Sequence, residues 1–525
     1  GLNVVETAAD GSFTLPGHER ERFIFITTPS GYKTFNRHYH KIEEKQSGYD
    51  FGLMPYSGRI RKDGSHKYIH IADTEIFNTE NHADWVNNVH DYARNEQAAF
   101  IIHTGDICYE KGLKAHIKLM NTENMDCPVF YCIGNHDLVK GKYGEELFES
   151  IYGPVYYSFD AGNVHYVVTP MPGGDHAPGY TSDDVCRWLK NDLAHIRPGT
   201  PVVVFNHDLL TYEDAFIFKS KNAGSINLNE YNLKAWVYGH WHINYMKKQG
   251  DVYSVCTSSL DKGGIDHSTT AFRVMHVDSK GDFTSELRYT YLDKNICIAS
   301  PAGVMASGVL PVAVNVYSSV SPVREVLYTC LADGKPVLKN KRLLQSTDWS
   351  WNGELPLSHK YVGKELTLRV TARFNNGEIA KAESNFVCRT EKVAPLFSAD
   401  WDNLLGNAKH SAPVSAPLNL PLQLAWTNNV GANLYMTSPL IHKGKVIVAS
   451  VDEDLKGVGH VYALNGKDGT ILWSCPVRNS IKNSIAVDSD IVFAQDAQGF
   501  LYAIDTETGK LCWEKQLPVN GLPAL

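Results

Sequence analysis

Five apolar runs between residues 67 and 240 each end in a side chain that can bind a cation. They are KYIHIAD (67–73), AAFIIHTGD (98–106), PVFYCIGNHD (128–137), PVVVFNH (201–207) and AWVYGH (235–240). Each is short, rich in β-branched and aromatic residues, and reads as a buried strand. VHYVVTP (164–170) reads as another. Between them Val86, Val89 and Ala93, then Leu113, Ile117 and Met120, recur at helical spacing. A further helix is predicted from Thr181, with Asp184 as its capping-box partner. Buried strands joined by helices predict α/β layers, whose ligands sit at the carboxyl ends of the strands.

Those ends supply Asp73, then Gly105-Asp106, Gly134-Asn135-His136-Asp137, His207, and Gly239-His240-Trp241-His242. Any one of these segments turns up by chance; all five in this order do not. Two cations about 3.5–4 Å apart need a bridging carboxylate, separate ligands on each side and open positions for substrate. Short loops on a rigid sheet edge can hold such a set. His240 and His242 lie two apart, so in extended backbone both rings would point one way and serve neighbouring metals.

With these motifs, residues 67–245 resemble a calcineurin-like metallophosphoesterase, whose pattern runs D-x-H, G-D-x-x-D, G-N-H-[DE], a lone His, then G-H-x-H. The resemblance implies a four-layer α/β/β/α core that hydrolyses a phosphate ester, mono- or diester, through metal-bound hydroxide. It implies that Asp73 and His242 bind one metal, that Asn135, His207 and His240 bind the other, and that Asp106 bridges them. His136 is implied as the catalytic residue at the phosphate and leaving group. The implied cofactors are two metal ions, Mn, Fe or Zn.

Two positions depart from the pattern. Glu75 stands where the family has His; as a ligand it would add negative charge and favour a harder cation, and its other reading is an exposed loop carboxylate. Tyr109 stands where the common pattern has Asp; it reads as an aromatic packed over the loop or, as in purple acid phosphatases, as a ligand to iron. Asp137 and Asp208 are expected to hold neighbouring histidine rings. His38, His40, His82 and His103 are given ordinary polar roles.

The rest of the 525-residue chain divides by composition. Residues 1–62 carry short alternating runs broken by turns, expected as an N-terminal β-sandwich; residues 63–298 are the α/β domain. Residues 299–392 alternate without helical period and predict an immunoglobulin-like β-sandwich. The nearly uncharged stretch 298–316 contains Pro301, Gly303, Gly308 and Pro311, so no transmembrane segment is expected. In 393–525, YALNGKDGTILW (462–473) and YAIDTETGKLCW (502–513) repeat in register at a spacing of 40, with a weaker match ending at Trp426. That period is the signature of β-propeller blades. These resemble PQQ-type blades, and DWDNLLGNAKHSA (400–412) resembles their leading segment. No quinone is implied. Two blades cannot close a propeller, so the sequence is expected to stop inside a longer protein. Starting at Gly1 without a leader, it is expected to lack an export signal or to have lost it.

The net charge of −8 and the absence of a long basic cluster argue against a nucleic-acid partner and lower a nuclease reading. The ten scattered cysteines fit no zinc or CxxC spacing and read as buried free thiols. The expected partners are a phosphate-ester substrate and, for the propeller, a protein or glycan ligand, in an extracytoplasmic (periplasmic or secreted) location. The alternative to an enzyme is a non-catalytic binding or scaffold protein with a degenerate metal site and a propeller that carries the ligand.

Overall fold

A computed structural model describes residues 2–43, 47–389, 399–411, 422 and 424–518. The chain forms two compact units, Gly1–Tyr291 with Asp454–Lys456, and Leu292–Glu453 with Gly457–Leu525.

The first unit opens with four three-residue strands: β1 (Phe23–Phe25), β2 (Tyr32–Thr34), β3 (Tyr39–Lys41) and β4 (Leu53–Pro55). They pair antiparallel as β1–β3 and β2–β4. In place of the sandwich expected over 1–62, the described residues there hold only these two small sheets. Arginines of this segment tie it to the α/β domain. Arg22 Nη2 lies 2.6 Å from both Glu145 and Glu149, and Arg20 Nη2 lies 2.6 Å from Asp184.

The chain then alternates as predicted: β5 (His66–Ile71), α1 (Ala83–Asn95), β6 (Phe100–His103), α2 (Tyr109–Leu119), β7 (Val129–Tyr131), α3 (Glu146–Tyr152), β8 (Tyr157–Ala161), β9 (Val164–Val168), α4 (Ser182–Ala194), β10 (Val202–Phe205). After a small hairpin, β11 (Ile217–Lys219) and β12 (Ser225–Asn227), come β13 (Leu233–Tyr238), β14 (Tyr245–Gln249), β15 (Val252–Cys256), β16 (Ala271–Val277) and β17 (Phe283–Tyr289). Thr181 caps α4 in the predicted box: its hydroxyl accepts from the Asp184 amide, whose carboxylate accepts from the Thr181 amide.

Two sheets result, in the orders β17-β16-β5-β6-β7 and β14-β15-β13-β10-β9-β8. β5, β6 and β7 run parallel in the first, and β9, β10, β13 and β15 in the second. Tyr68, Phe100 and Ile102 pack against Tyr166, Val203, Phe205 and Val237 between the sheets. The other face of the five-stranded sheet presents Ile69, Ile71 and Ile101 to Trp85, Val89, Leu113 and Phe148 of α1–α3. Full burial of such side chains contributes about 1.5–3 kcal/mol each. Asp192 of α4 accepts from Ser158 Oγ at 2.7 Å and His165 Nε2 at 2.9 Å, joining this helix to β8 and β9.

In the second unit, residues 295–389 form a four-stranded and a five-stranded sheet around one core that includes Val312, Val314, Trp351, Leu368 and Val370. The stretch 298–316 is strand and turn. Among the described residues no helix is long and apolar enough to cross a membrane. Strands 440–442, 445–449, 460–465 and 471–476 make one antiparallel four-stranded sheet; 486–488, 491–495, 500–505 and 511–516 make the next. Trp426 Nε1 donates to Gly466 O at 2.8 Å, and Trp473 Nε1 repeats the contact one sheet on, to Thr506 O at 3.0 Å. The stretch 412–421, just before Trp426, lies outside the described residues.

Candidate metal centre

The five predicted strand ends converge. β5, β6 and β7 deliver Asp73, Asp106 and Asn135-His136 from one sheet; β10 and β13 deliver His207, His240 and His242 from the other. Asp106 and His207 join the two edges, with Oδ2 3.1 Å from Nε2. Asp106, His207 and His240 offer ligand atoms within 4.8 Å of one another, and so do Asp73, Asp106 and His242. The two groups share Asp106.

The loops are held tightly. Asp73, Glu75, Asp106, Cys108, Tyr109, His240 and His242 all have positive φ, between 42° and 72°. Such a conformation is costly for a residue with a side chain and concentrates at functional sites. It also corrects the reason given for the histidine pair. His240 and His242 lie in a bend after β13, with φ of 64° and 52°, not in extended backbone. The bend still sends the two rings to different donor groups, while Trp241 donates Nε1 to Asp208 at 3.1 Å. A Cβ on Gly134 would lie 2.2 Å from Asp106 Oδ1, so only glycine lets the Asn135 turn approach this closely.

The buried carboxylates determine the electrostatics. Asp73 and Asp106 are 0 % and 1 % exposed. Burial pushes the Asp73 carboxyl far up, and nearby Asp106 adds to this. Burial opposes a charge on His207, yet Asp106 and Asp73 beside it raise it to about 10. That proton supplies positive charge where a cation would. Burial, aided by His207, holds His240 below its ordinary value, and burial does the same for His242. Both therefore offer the neutral imidazole that metals bind.

Two further observations fit a metal. His207 Nδ1 donates to the Thr104 carbonyl at 2.7 Å, aiming Nε2 inward at Asp106. Asn135 Oδ1 is buried with no hydrogen-bond partner. An unsatisfied buried polar atom costs about 1–3 kcal/mol, and a cation would relieve it.

Glu75 and Tyr109 sit at the rim. Glu75 Oε1 is 3.6 Å from His242 Nε2, while Oε2 is 2.9 Å from Lys262 Nζ. Glu75 also groups with Asp106 and Cys108, but burial and the surrounding carboxylates push the Cys108 thiol far up. Tyr109 is 45 % exposed, its ring centroid 5.4 Å from that of His136.

Asp137 and Asp208 hold loops rather than histidine rings. Asp137 accepts from the amides of Cys108 at 2.8 Å and Gly134 at 2.9 Å. Asp208 accepts from the Leu209 amide and the Trp241 indole. The nearest unsatisfied donors were loop N–H groups, and the carboxylates took them. His103 is buried, accepting from the Gly105 amide and donating to Thr74 Oγ1, so it braces two donor loops. The partner of His136 was not foreseen: its Nδ1 donates to Asp175 Oδ2 at 2.9 Å.

No curated protein matches the chain. Among solved structures it is similar to GAP50, the anchor in the inner membrane complex of Plasmodium, at 14% identity over 43% of this chain and 84% of that one, with a TM-score of 0.29. It is similar to Vps29 of Entamoeba histolytica, complexed with Zn+2, at 12% identity over 44% and 94%, TM-score 0.24. It is also similar to BamB of Moraxella catarrhalis, at 16% identity over 18% of this chain and 28% of that one, TM-score 0.16. Only about a quarter of that BamB is spanned. The family matches are more specific and cover separate segments. Residues 66–244 match the calcineurin-like phosphoesterases, a match that supports metal-dependent phosphoester hydrolysis in general, and residues 423–522 match the outer membrane protein assembly factor BamB family.

Proposed function

We propose that residues 63–298 form a four-layer metallophosphoesterase domain that hydrolyses a phosphate ester with two metal ions, Mn, Fe or Zn. The observation that carries this reading is the sharing of Asp106 by two donor groups, Asp106/His207/His240 and Asp73/Asp106/His242. Asp73 and His242, with Glu75, would hold one ion. Asn135, His207 and His240 would hold the other, and Asp106 would touch both. When bound, such ions polarise phosphoryl oxygens and lower the pKa of water.

The protein's own groups supply the rest. Asp175 holds His136 Nδ1 and leaves Nε2 for the substrate. Burial disfavours a charge on His136, but Asp175 and Asp106 outweigh it and raise the group above its ordinary value. His136 can therefore donate a proton to the departing oxygen. Its backbone amide donates to Asp106 Oδ1 at 3.0 Å, so acid and carboxylate are fixed to each other across two loops.

The flanking regions extend the proposal. Residues 299–392 would be an immunoglobulin-like sandwich. Residues 393–525 would be propeller blades that bind a protein or glycan ligand in an extracytoplasmic setting, a reading supported by the match of 423–522. One observation favours the non-catalytic alternative: Lys262 already neutralises Glu75.

The test is release of p-nitrophenol from its mono- and bis-phosphate esters with Mn, Fe or Zn, beside calorimetric counting of bound metal. The reading expects metal-dependent release that Asp106→Asn abolishes together with metal binding. Stoichiometric metal binding with no release of either ester would favour the binding-protein alternative.

A further inference from the structure

Phe77 and Tyr109 are large apolar side chains left open beside the metal centre, 57 % and 45 % exposed. Single exposed hydrophobics are unremarkable, but these two are a pair. Their ring planes are 17° apart with centroids 6.5 Å from each other, and Tyr109 continues to the His136 ring at 5.4 Å. The three rings therefore form a run in the order His136, Tyr109, Phe77.

The backbone keeps this run outward. Cys108 and Tyr109 have φ of 72° and 56°, an unfavourable region for bulky residues. Asp137 holds it there by accepting from the Cys108 amide. Tyr109 is exposed at the first residue of α2, while Leu113 one turn on is buried. Strain at an exposed aromatic beside a site points to use rather than packing.

We propose that Phe77 and Tyr109 form a shelf for a flat aromatic ring on the leaving group, so that the site selects phosphoesters of ring-bearing alcohols over aliphatic ones. The inference rests on reading the centre as a phosphoesterase. His136 Nδ1 belongs to Asp175, so a leaving oxygen meets Nε2, and the group attached to that oxygen then lies beside Tyr109. Aryl alcohols and nucleosides share the required chemistry, a planar ring with an open π-face.

The experiment measures binding separately from turnover. Manganese-loaded full-length protein is titrated with benzylphosphonate and with cyclohexylmethylphosphonate, which match in charge and bulk and differ in planarity. A thymidine 5′-phosphonate against its base-free counterpart distinguishes a nucleobase from a simple aryl ring. The shelf predicts a preference of about two- to tenfold for the flat member, the range of one aromatic contact. Phe77→Leu, which keeps apolar bulk and removes the ring, should bring the preference towards unity; Tyr109→Leu should do the same. Equal affinities within both pairs, or a preference unchanged in both variants, would overturn the shelf while leaving the phosphoesterase reading intact. Binding of none of the four would overturn both.

Discussion

His136 Nδ1 stands 2.9 Å from Asp175 Oδ2, a contact across 39 residues that fixes which ring nitrogen is left free. Asp175 is itself tied to the same turn, its amide donating to the Asn135 carbonyl at 3.1 Å. The loop at 171–180 thus orients an acid carried by another loop.

That geometry predicts a pattern of losses. His136→Ala should keep both metals and lower turnover about a hundredfold or more, the range for a general acid. Asp175→Asn should also keep the metals, at a smaller cost of roughly tenfold. Because Asp175 acts through His136, adding Asp175→Asn to His136→Ala should change little further. Steady-state kinetics with metal analysis checks all three. Loss of metal from His136→Ala would make that residue structural.

Close packing around the carboxylates makes a second prediction. A Cβ on Gly134 would meet Asp106 Oδ1 at 2.2 Å, and one on Gly239 would meet Asp73 Oδ2 at 2.7 Å. Gly134→Ala should displace the shared carboxylate and weaken both metals, destabilising the domain by about 1–3 kcal/mol. Gly239→Ala should chiefly affect the metal held by Asp73. Gly173→Ala, with nothing within 4 Å of the new methyl, is the neutral control. Metal titration and urea unfolding of the three variants distinguish a displaced ligand from a general loss of stability.

What the sequence revealed follows from where information is local. Asp73, Asp106, Asn135, His207 and His240 each follow an apolar run, so position along a strand marked them. Asp175 and Lys262 follow none; their roles exist only once loops distant in sequence meet. Asp137 and Asp208 differ from expectation for a related reason. Sequence adjacency suggested histidine rings, whereas the fold offered backbone amides. Over residues 1–62, alternation in FIFIT cannot say whether strands pair with one another or are held by Arg20 and Arg22 against another layer.

Glu75 divides its carboxylate between His242 and Lys262, and that division can be tested. Glu75→Gln should weaken one of two manganese ions at least about tenfold, the smaller loss seen when an outer partner of a ligand is removed. Lys262→Met should leave affinity equal or tighter, since it removes only a competing ammonium. Two-site calorimetry reads both. Unchanged affinity in Glu75→Gln would return Glu75 to the role of a loop carboxylate paired with lysine.

His165 gives the pH dependence of the fold, away from the metal centre. It is 2 % exposed and donates Nδ1 to Asp160 at 2.8 Å and Nε2 to Asp192 at 2.9 Å. Burial opposes its charge, but the two carboxylates prevail and raise it to about 9. An unfolded histidine titrates near ~6.5. The folded value is the higher one, so the stabilisation is complete below about pH 6.5 and is lost as pH rises through 9, amounting to on the order of 3 kcal/mol. Urea midpoints of the wild type and His165→Gln, compared from pH 6 to pH 10, provide the check. The wild type should lead most at the acid end and converge on the variant at the alkaline end. A lead that stays constant over this range would mean that His165 stabilises the α4 contact by packing, without carrying a charge.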